Sequence, residues 1–88
     1  MIFTSRVVYT SLGAFNNKAA TQIVNNAKKF QSNISFNIEG VAKEIDAKNL
    51  NSIQRLNLKK GSTIEIVAKG KDENKAVESL VKFFEKMK

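Results

Sequence analysis

The 88 residues contain no cysteine, no histidine, no proline and no tryptophan. Without cysteine there is neither a disulfide framework nor a thiolate metal site. With histidine also missing, only carboxylates remain as strong metal ligands, and these are scattered along the chain. The expectation is therefore no metal and no cofactor. Without proline, turns fall to Gly, Asn and Asp, and only four glycines are available. No hydrophobic run approaches the roughly 18 residues of a membrane span. Met1-Ile2-Phe3 gives way at once to Thr4, Ser5 and Arg6, so the start does not read as a signal peptide. These features predict a cytoplasmic protein of one domain, 1–88.

Acidic residues are few, with eight Asp and Glu against fifteen Lys and Arg, a net charge of +7. That excess raises encounter rates with acidic partners, whether protein faces or nucleic acid. The lysines are dispersed and form no basic run, so many serve only to solvate the surface.

What is present is strongly patterned. Ile2 to Tyr9, rich in β-branched and aromatic residues, reads as a strand. Ala20, Ile23, Val24, Ala27 and Phe30 follow helical spacing, with Asn16 or Asn17 as N-cap. Asn33 to Glu39 alternates strictly, with Ile34, Phe36 and Ile38 on the inward face. Gly40 turns the chain into a short strand over Lys43 to Asp46. Asn49 then caps a brief helix whose Leu50, Ile53 and Leu56 are expected to pack inward. Lys59-Lys60-Gly61 breaks it and opens a strand with Ile64 and Ile66 inward. Gly70-Lys71-Asp72 turns into a last helix with Ala76, Val77, Leu80, Phe84 and Met87 on one face. Asp72 and Glu73 at its start and Lys86 and Lys88 at its end match the helix dipole. The order β-α-β-β-α-β-α, with one apolar sheet face, predicts an α+β open-faced, two-layer sandwich. Its four-stranded antiparallel sheet carries three helices on one face.

These elements resemble the HPr family, the small phosphocarriers of the bacterial sugar phosphotransferase system. Lys60-Gly61-Ser62-Thr63-Ile64-Glu65-Ile66 is similar to the family's Lys-Gly-x-x-Ile-x-Ile strand. Gly70-Lys71-Asp72-Glu73-Asn74-Lys75-Ala76 is similar to its Gly-x-Asp-Glu-x-x-Ala helix start, and Ala27-Lys28-Lys29-Phe30 to the end of its first helix. The family's functional motif is Gly-Ile-His-Ala-Arg-Pro-Ala-Thr. Aligned on Ala20-Thr21, Asn16 stands at the phosphoryl-accepting histidine, Asn17 at the alanine and Lys18 at the arginine. Aligned on Gly13, the accepting position falls on Phe15. Neither side chain has the basic ring nitrogen that phosphoryl transfer needs. Asn49 corresponds to the regulatory serine that caps the second helix in many Gram-positive members, so the cap is kept and the modification lost. Ser52, one turn into the helix, reads as a solvated residue.

The resemblance implies protein partners such as enzyme I or other phosphotransferase components, docking on Lys18, Ala19, Ile23, Leu50, Asn51, Gln54 and Arg55. Asn51 and Gln54 stand where family members usually carry larger apolar residues, which weakens that patch. Asn16, Asn17 and Lys18 at the first helix start also form a candidate anion site, with ordinary capping as the alternative. The expected function is a binding or regulatory module, not an enzyme. One alternative is a basic α+β nucleic-acid-binding module, although the third strand lacks the aromatic residues that stack bases. Another is carboxylate catalysis by Glu39, Glu44, Asp46 and Glu65, which read more simply as a solvated sheet face.

Overall fold

A computed structural model describes residues 2–9, 15–56 and 58–86. The elements are β1 (Ile2–Val8), α1 (Asn17–Lys28), β2 (Asn33–Ile38), β3 (Ile45–Asp46), α2 (Leu50–Gln54), β4 (Thr63–Lys69) and α3 (Glu73–Lys86). The strands form one four-stranded sheet in the order β1-β4-β2-β3, and every pairing is antiparallel. Both the element order and the open sheet agree with the expectation from the sequence.

Alternation along the strands sets the layers. On the inner face, the register lines up Val7, Ile64 and Ile38 in one row, Ser5, Ile66 and Phe36 in the next, and Phe3, Ala68 and Ile34 in the third. Large and small side chains complement one another, with Ala68 beside Phe3 and Ser5 beside Ile66. Phe36, Ile64 and Ile66 are fully buried beneath the helices. Phe36 meets Phe84 of α3 edge-on at 5.7 Å, a geometry worth about 0.5–1.5 kcal/mol beyond burial. α3 packs over β1 and β4, while α1 packs against α2 and α3. The outer face carries Thr4, Arg6, Thr63, Glu65, Val67, Asn33, Ser35 and Asn37, and among the described residues it has no aromatic side chain. Glu65 there pairs with Arg6 at 3.7 Å and accepts from Asn37 at 3.2 Å, so it is part of a polar row across three strands.

A side-chain clamp fixes α3 to the turn after α1. Asp72 accepts hydrogen bonds from the Gln31 N–H (3.0 Å), the Ser32 N–H (3.0 Å) and the Ser32 hydroxyl (2.5 Å). The Ser32 hydroxyl chiefly, then the Gln31 N–H, lower the Asp72 pKa from an ordinary 3.8 to about 2. Among the described residues Ser32 is the polar residue buried with the core, at 1% exposure. Gly70 lets this close approach happen. Its φ is +152°, and a Cβ there would lie 2.7 Å from the Ser32 Cα. The Gly70 N–H in turn donates to Glu73 Oε1 at 3.1 Å.

Several expectations need correcting. The third strand is only Ile45–Asp46, not Lys43 to Asp46, because pairing with β2 is confined to Ser35 and Phe36. Leu50 does not pack inward; it is 37% exposed, because in a helix of five residues Ile53 takes the buried position. Leu56 follows the helix and packs against the core from outside it. α1 ends at Lys28, and Phe30 packs from the following turn. Met87 and Lys88 lie outside the described residues.

Candidate docking face at the starts of two helices

The first helix begins at a settled cap. Asn16 is extended (φ −119°, ψ 172°), and its side-chain oxygen accepts from the Ala19 N–H at 2.9 Å. Its backbone carbonyl accepts from the Ala20 N–H at 3.0 Å. Asn16 is thus the cap, and Asn17 is the first helical residue. The Asn16 amide already occupies one of the N–H groups that an anion would use. Phe15 sets where this cap sits, since it packs against the core and meets buried Tyr9 edge-on at 6.3 Å. Gly13, the other anchor for placing the accepting position, lies outside the described residues.

The second helix repeats the device. Asn49 (φ −100°, ψ 107°) accepts from the Ser52 N–H at 3.1 Å, and its carbonyl accepts from the Ile53 N–H at 3.1 Å. Neither first turn contains an acidic residue. The start of α1 is therefore left without a carboxylate in its first turn, while just before the α2 cap Asp46 accepts from the Lys48 N–H at 2.9 Å. Lys18 on α1 and Arg55 after α2 are both exposed and add full positive charges to packed helices.

Lys18, Asn51, Gln54 and Arg55 are exposed, as a docking face requires. Leu50, having failed to turn inward, adds an exposed apolar side chain. Ile23 does not belong to the surface. It is fully buried, because it shares the inward stripe of Ala20, Val24 and Ala27 and supports α1 from beneath. Ala19, at 8% exposure, is largely covered as well. Two contacts were not legible in the sequence. One is the Asp72 clamp, and the other is Lys48, whose Nζ donates to the Phe30 carbonyl at 2.8 Å just beyond α1. Both join residues far apart in sequence, and only the Asp72-Glu73 motif hinted at either. Among the described residues no three potential metal ligands gather, and no helix is long and apolar enough to cross a membrane.

Comparison with known proteins agrees with this architecture. The family described as the PTS HPr component phosphorylation site matches residues 5–86. The phosphocarrier protein HPr of Buchnera aphidicola subsp. Acyrthosiphon pisum is 42% identical, covering 90% of this chain and 91% of its own length. The HPr-like protein Crh of Halalkalibacterium halodurans is 35% identical over 78% of this chain and 80% of its own. Among solved structures, HPr-C-His from Thermoanaerobacter tengcongensis superposes with a TM-score of 0.83 at 26% identity, covering 97% of this chain and 93% of that one. With its sheet order, helix placement and motifs now matched over nearly its whole length, this chain belongs to the HPr family of the sugar phosphotransferase system.

Proposed function

We propose that this chain is a cytoplasmic binding or regulatory module of the phosphotransferase system that does not carry phosphate at the family's usual site. The carrying observation is Asn16. An amide holds the start of α1, its oxygen engaged by the Ala19 N–H, in a chain with no histidine at all. An amide nitrogen, its lone pair delocalised into the carbonyl, is not a phosphoryl nucleophile. The docking face persists beside it, formed by Lys18, Leu50, Asn51, Gln54 and Arg55 around two helices whose first turns hold no acidic residue. Such a face suits an acidic partner such as enzyme I, and its polar Asn51 and Gln54 favour weaker binding than a fully apolar patch gives. Replacing one apolar anchor costs about 1–2 kcal/mol, roughly ten-fold in affinity. Asn49 keeps the cap of α2 without a hydroxyl to modify.

The test combines phosphoenolpyruvate, enzyme I of the same organism and this chain, with a histidine-containing HPr as control. The expected result is no phosphoryl group on this chain and competitive slowing of HPr phosphorylation. NMR shifts on titration with enzyme I are expected at Asn16 to Lys18 and Leu50 to Arg55. Stoichiometric phosphorylation of this chain would overturn the first half of the reading, and absence of both inhibition and shifts the second.

A further inference from the structure

α1 has a second flank, away from α2, where it meets α3. There the two helices enclose an open groove of about 460 Å³, lined by Gln22, Asn25, Asn26 and Lys29 from α1 and its C-cap and by Phe83 and Lys86 from α3. Three carboxamides, two ammonium groups and one aromatic ring line it, and no carboxylate does so among the described residues. The acidic Glu85 of α3 instead lines the cleft on that helix's other side, with Arg6 and Val8.

The walls are fixed in place. Asn26 Oδ1 accepts from the Ser79 hydroxyl at 2.8 Å, tying α1 to α3 and committing the oxygen of that amide. Phe83 is half-buried, packs against the core and meets Phe84 edge-on at 5.8 Å. A preorganised groove loses little conformational entropy when it is filled.

Lys29 and Lys86 both stand at helix C-termini, where a cation is favourable on its own account. That role does not exhaust their charge. A helix end carries about half an elementary negative charge, against a full positive charge on each lysine. Near the end of α1, Lys48 already donates to the Phe30 carbonyl. The groove therefore keeps a positive surplus, in a chain whose net charge is +7. Its openness suits a polypeptide segment lying along it better than a small molecule, which needs most of its surface enclosed.

We infer that the α1–α3 groove is a second docking surface, for an acidic segment of a partner protein. That segment would set an apolar side chain on Phe83 and carboxylates against Lys29 and Lys86. The carboxamides of Gln22 and Asn25 supply donors for the remaining carboxylate or backbone oxygens. This surface is closed by α3 and takes nothing from α2, and it shares only the exposed side of α1 with Lys18, one turn before Gln22. The peptide and groove-lysine variants test it without enzyme I, so either reading can fail without the other.

The experiment titrates the isotope-labelled full chain with a soluble peptide of alternating Glu and Leu blocks, and separately with oligouridylate. The peptide is expected to shift Gln22 to Lys29 and Ser79 to Lys86. The double substitution Lys29→Glu with Lys86→Glu should weaken it about ten-fold or more, and Lys60→Glu, outside the groove, should leave it nearly unchanged. Both variants carry exposed changes, and matched melting curves establish that they fold alike. Phe83→Leu should retain binding and Phe83→Ser should lose it. Equal weakening by Lys60→Glu would reduce the effect to overall charge and overturn the inference. So would an absence of shifts at millimolar peptide, or tighter binding of oligouridylate to the same residues.

Discussion

Replacing Gly70 by alanine tests how the fold is held together at a single atom. Two costs combine there. A φ of +152° is a backbone region that L side chains rarely adopt, and the new Cβ would lie 2.7 Å from the Ser32 Cα, 2.8 Å from its Oγ and 3.0 Å from its Cβ. Forcing the backbone costs about 1–2 kcal/mol. Overpacking against a buried neighbour costs about 1–3 kcal/mol more, because relief requires β2 and the α3 start to move apart. Their sum, about 2–5 kcal/mol, is a large part of the roughly 5–15 kcal/mol that holds a small domain folded. At about 4–8 °C per kcal/mol, the melting temperature should fall by at least about 8 °C.

Gly61 is the internal control. Its φ is +93°, yet a Cβ there meets nothing within 4 Å, so Gly61→Ala carries only the backbone cost. Urea denaturation followed by circular dichroism should place Gly70→Ala below Gly61→Ala by about 1–3 kcal/mol. Removing the Ser32 hydroxyl should not rescue it. The closest contact is to the Ser32 Cα, which Ser32→Ala leaves in place, and that change also deprives Asp72 of a hydrogen bond. If Gly70→Ala were no less stable than Gly61→Ala, or if Ser32→Ala restored it, the close approach would not be what requires glycine.

Three further outcomes follow from the same contacts. Asp72 has its pKa lowered to about 2, so its contribution is full above about pH 4 and disappears as pH falls through 2. The stability gap between the natural chain and Asp72→Asn, measured by urea titration, should be constant from pH 7 to 4 and narrow between 4 and 2. A gap independent of pH would refute the clamp's charge. Asn16→Ala should cost about 1 kcal/mol in urea denaturation through loss of the α1 cap. Asn16→Asp should retain the cap, gain up to about 1 kcal/mol from the dipole, and bind enzyme I more weakly because it places a carboxylate on the docking face. A variant that is more stable and also binds more tightly would contradict that face's electrostatics. Phe36→Ala, emptying a fully buried site against Phe84, should cost about 3–5 kcal/mol and show as a collapse of the thermal transition.

The elements that were legible in the sequence are those whose pattern is local. Ile34, Phe36 and Ile38 alternate within one strand, and Ala20, Ile23, Val24 and Ala27 mark one helix stripe, so each could be assigned an inward face before any contact was known. The asparagine caps belong to the same class, since a cap acts across three residues. Misreadings arose where an element is too short for its period to decide. Leu50 and Ile53 lie three apart and both fit an inward stripe. In a five-residue helix only Ile53 reaches the core, and Leu50 is left to the surface. The resemblance places Ile23 on the docking face, whereas its spacing with Ala20 and Val24 assigns it to the core, where it lies.

What could not be read is what depends on the meeting of distant segments. Asp72 looks in sequence like an acidic residue favoured at a helix start. In the structure its oxygens are committed to Gln31 and Ser32, 41 and 40 residues earlier. The glycine two residues before it is required by the same meeting. The Gly-x-Asp-Glu pattern therefore has a physical content beyond turn and cap: the glycine admits the neighbouring turn, the aspartate clamps it, and the glutamate accepts from the glycine N–H. The same contacts show how the fold is held independently of the residue that starts α1. The clamp and the sheet register hold the α1–α2 face from below, through Ser32, Ile23 and Phe36, and none of these residues bears on what Asn16 does at the surface. On the function proposed above, a cap in place of a nucleophile at that position leaves these supporting contacts untouched, so a binding role needs no change in the fold beneath it.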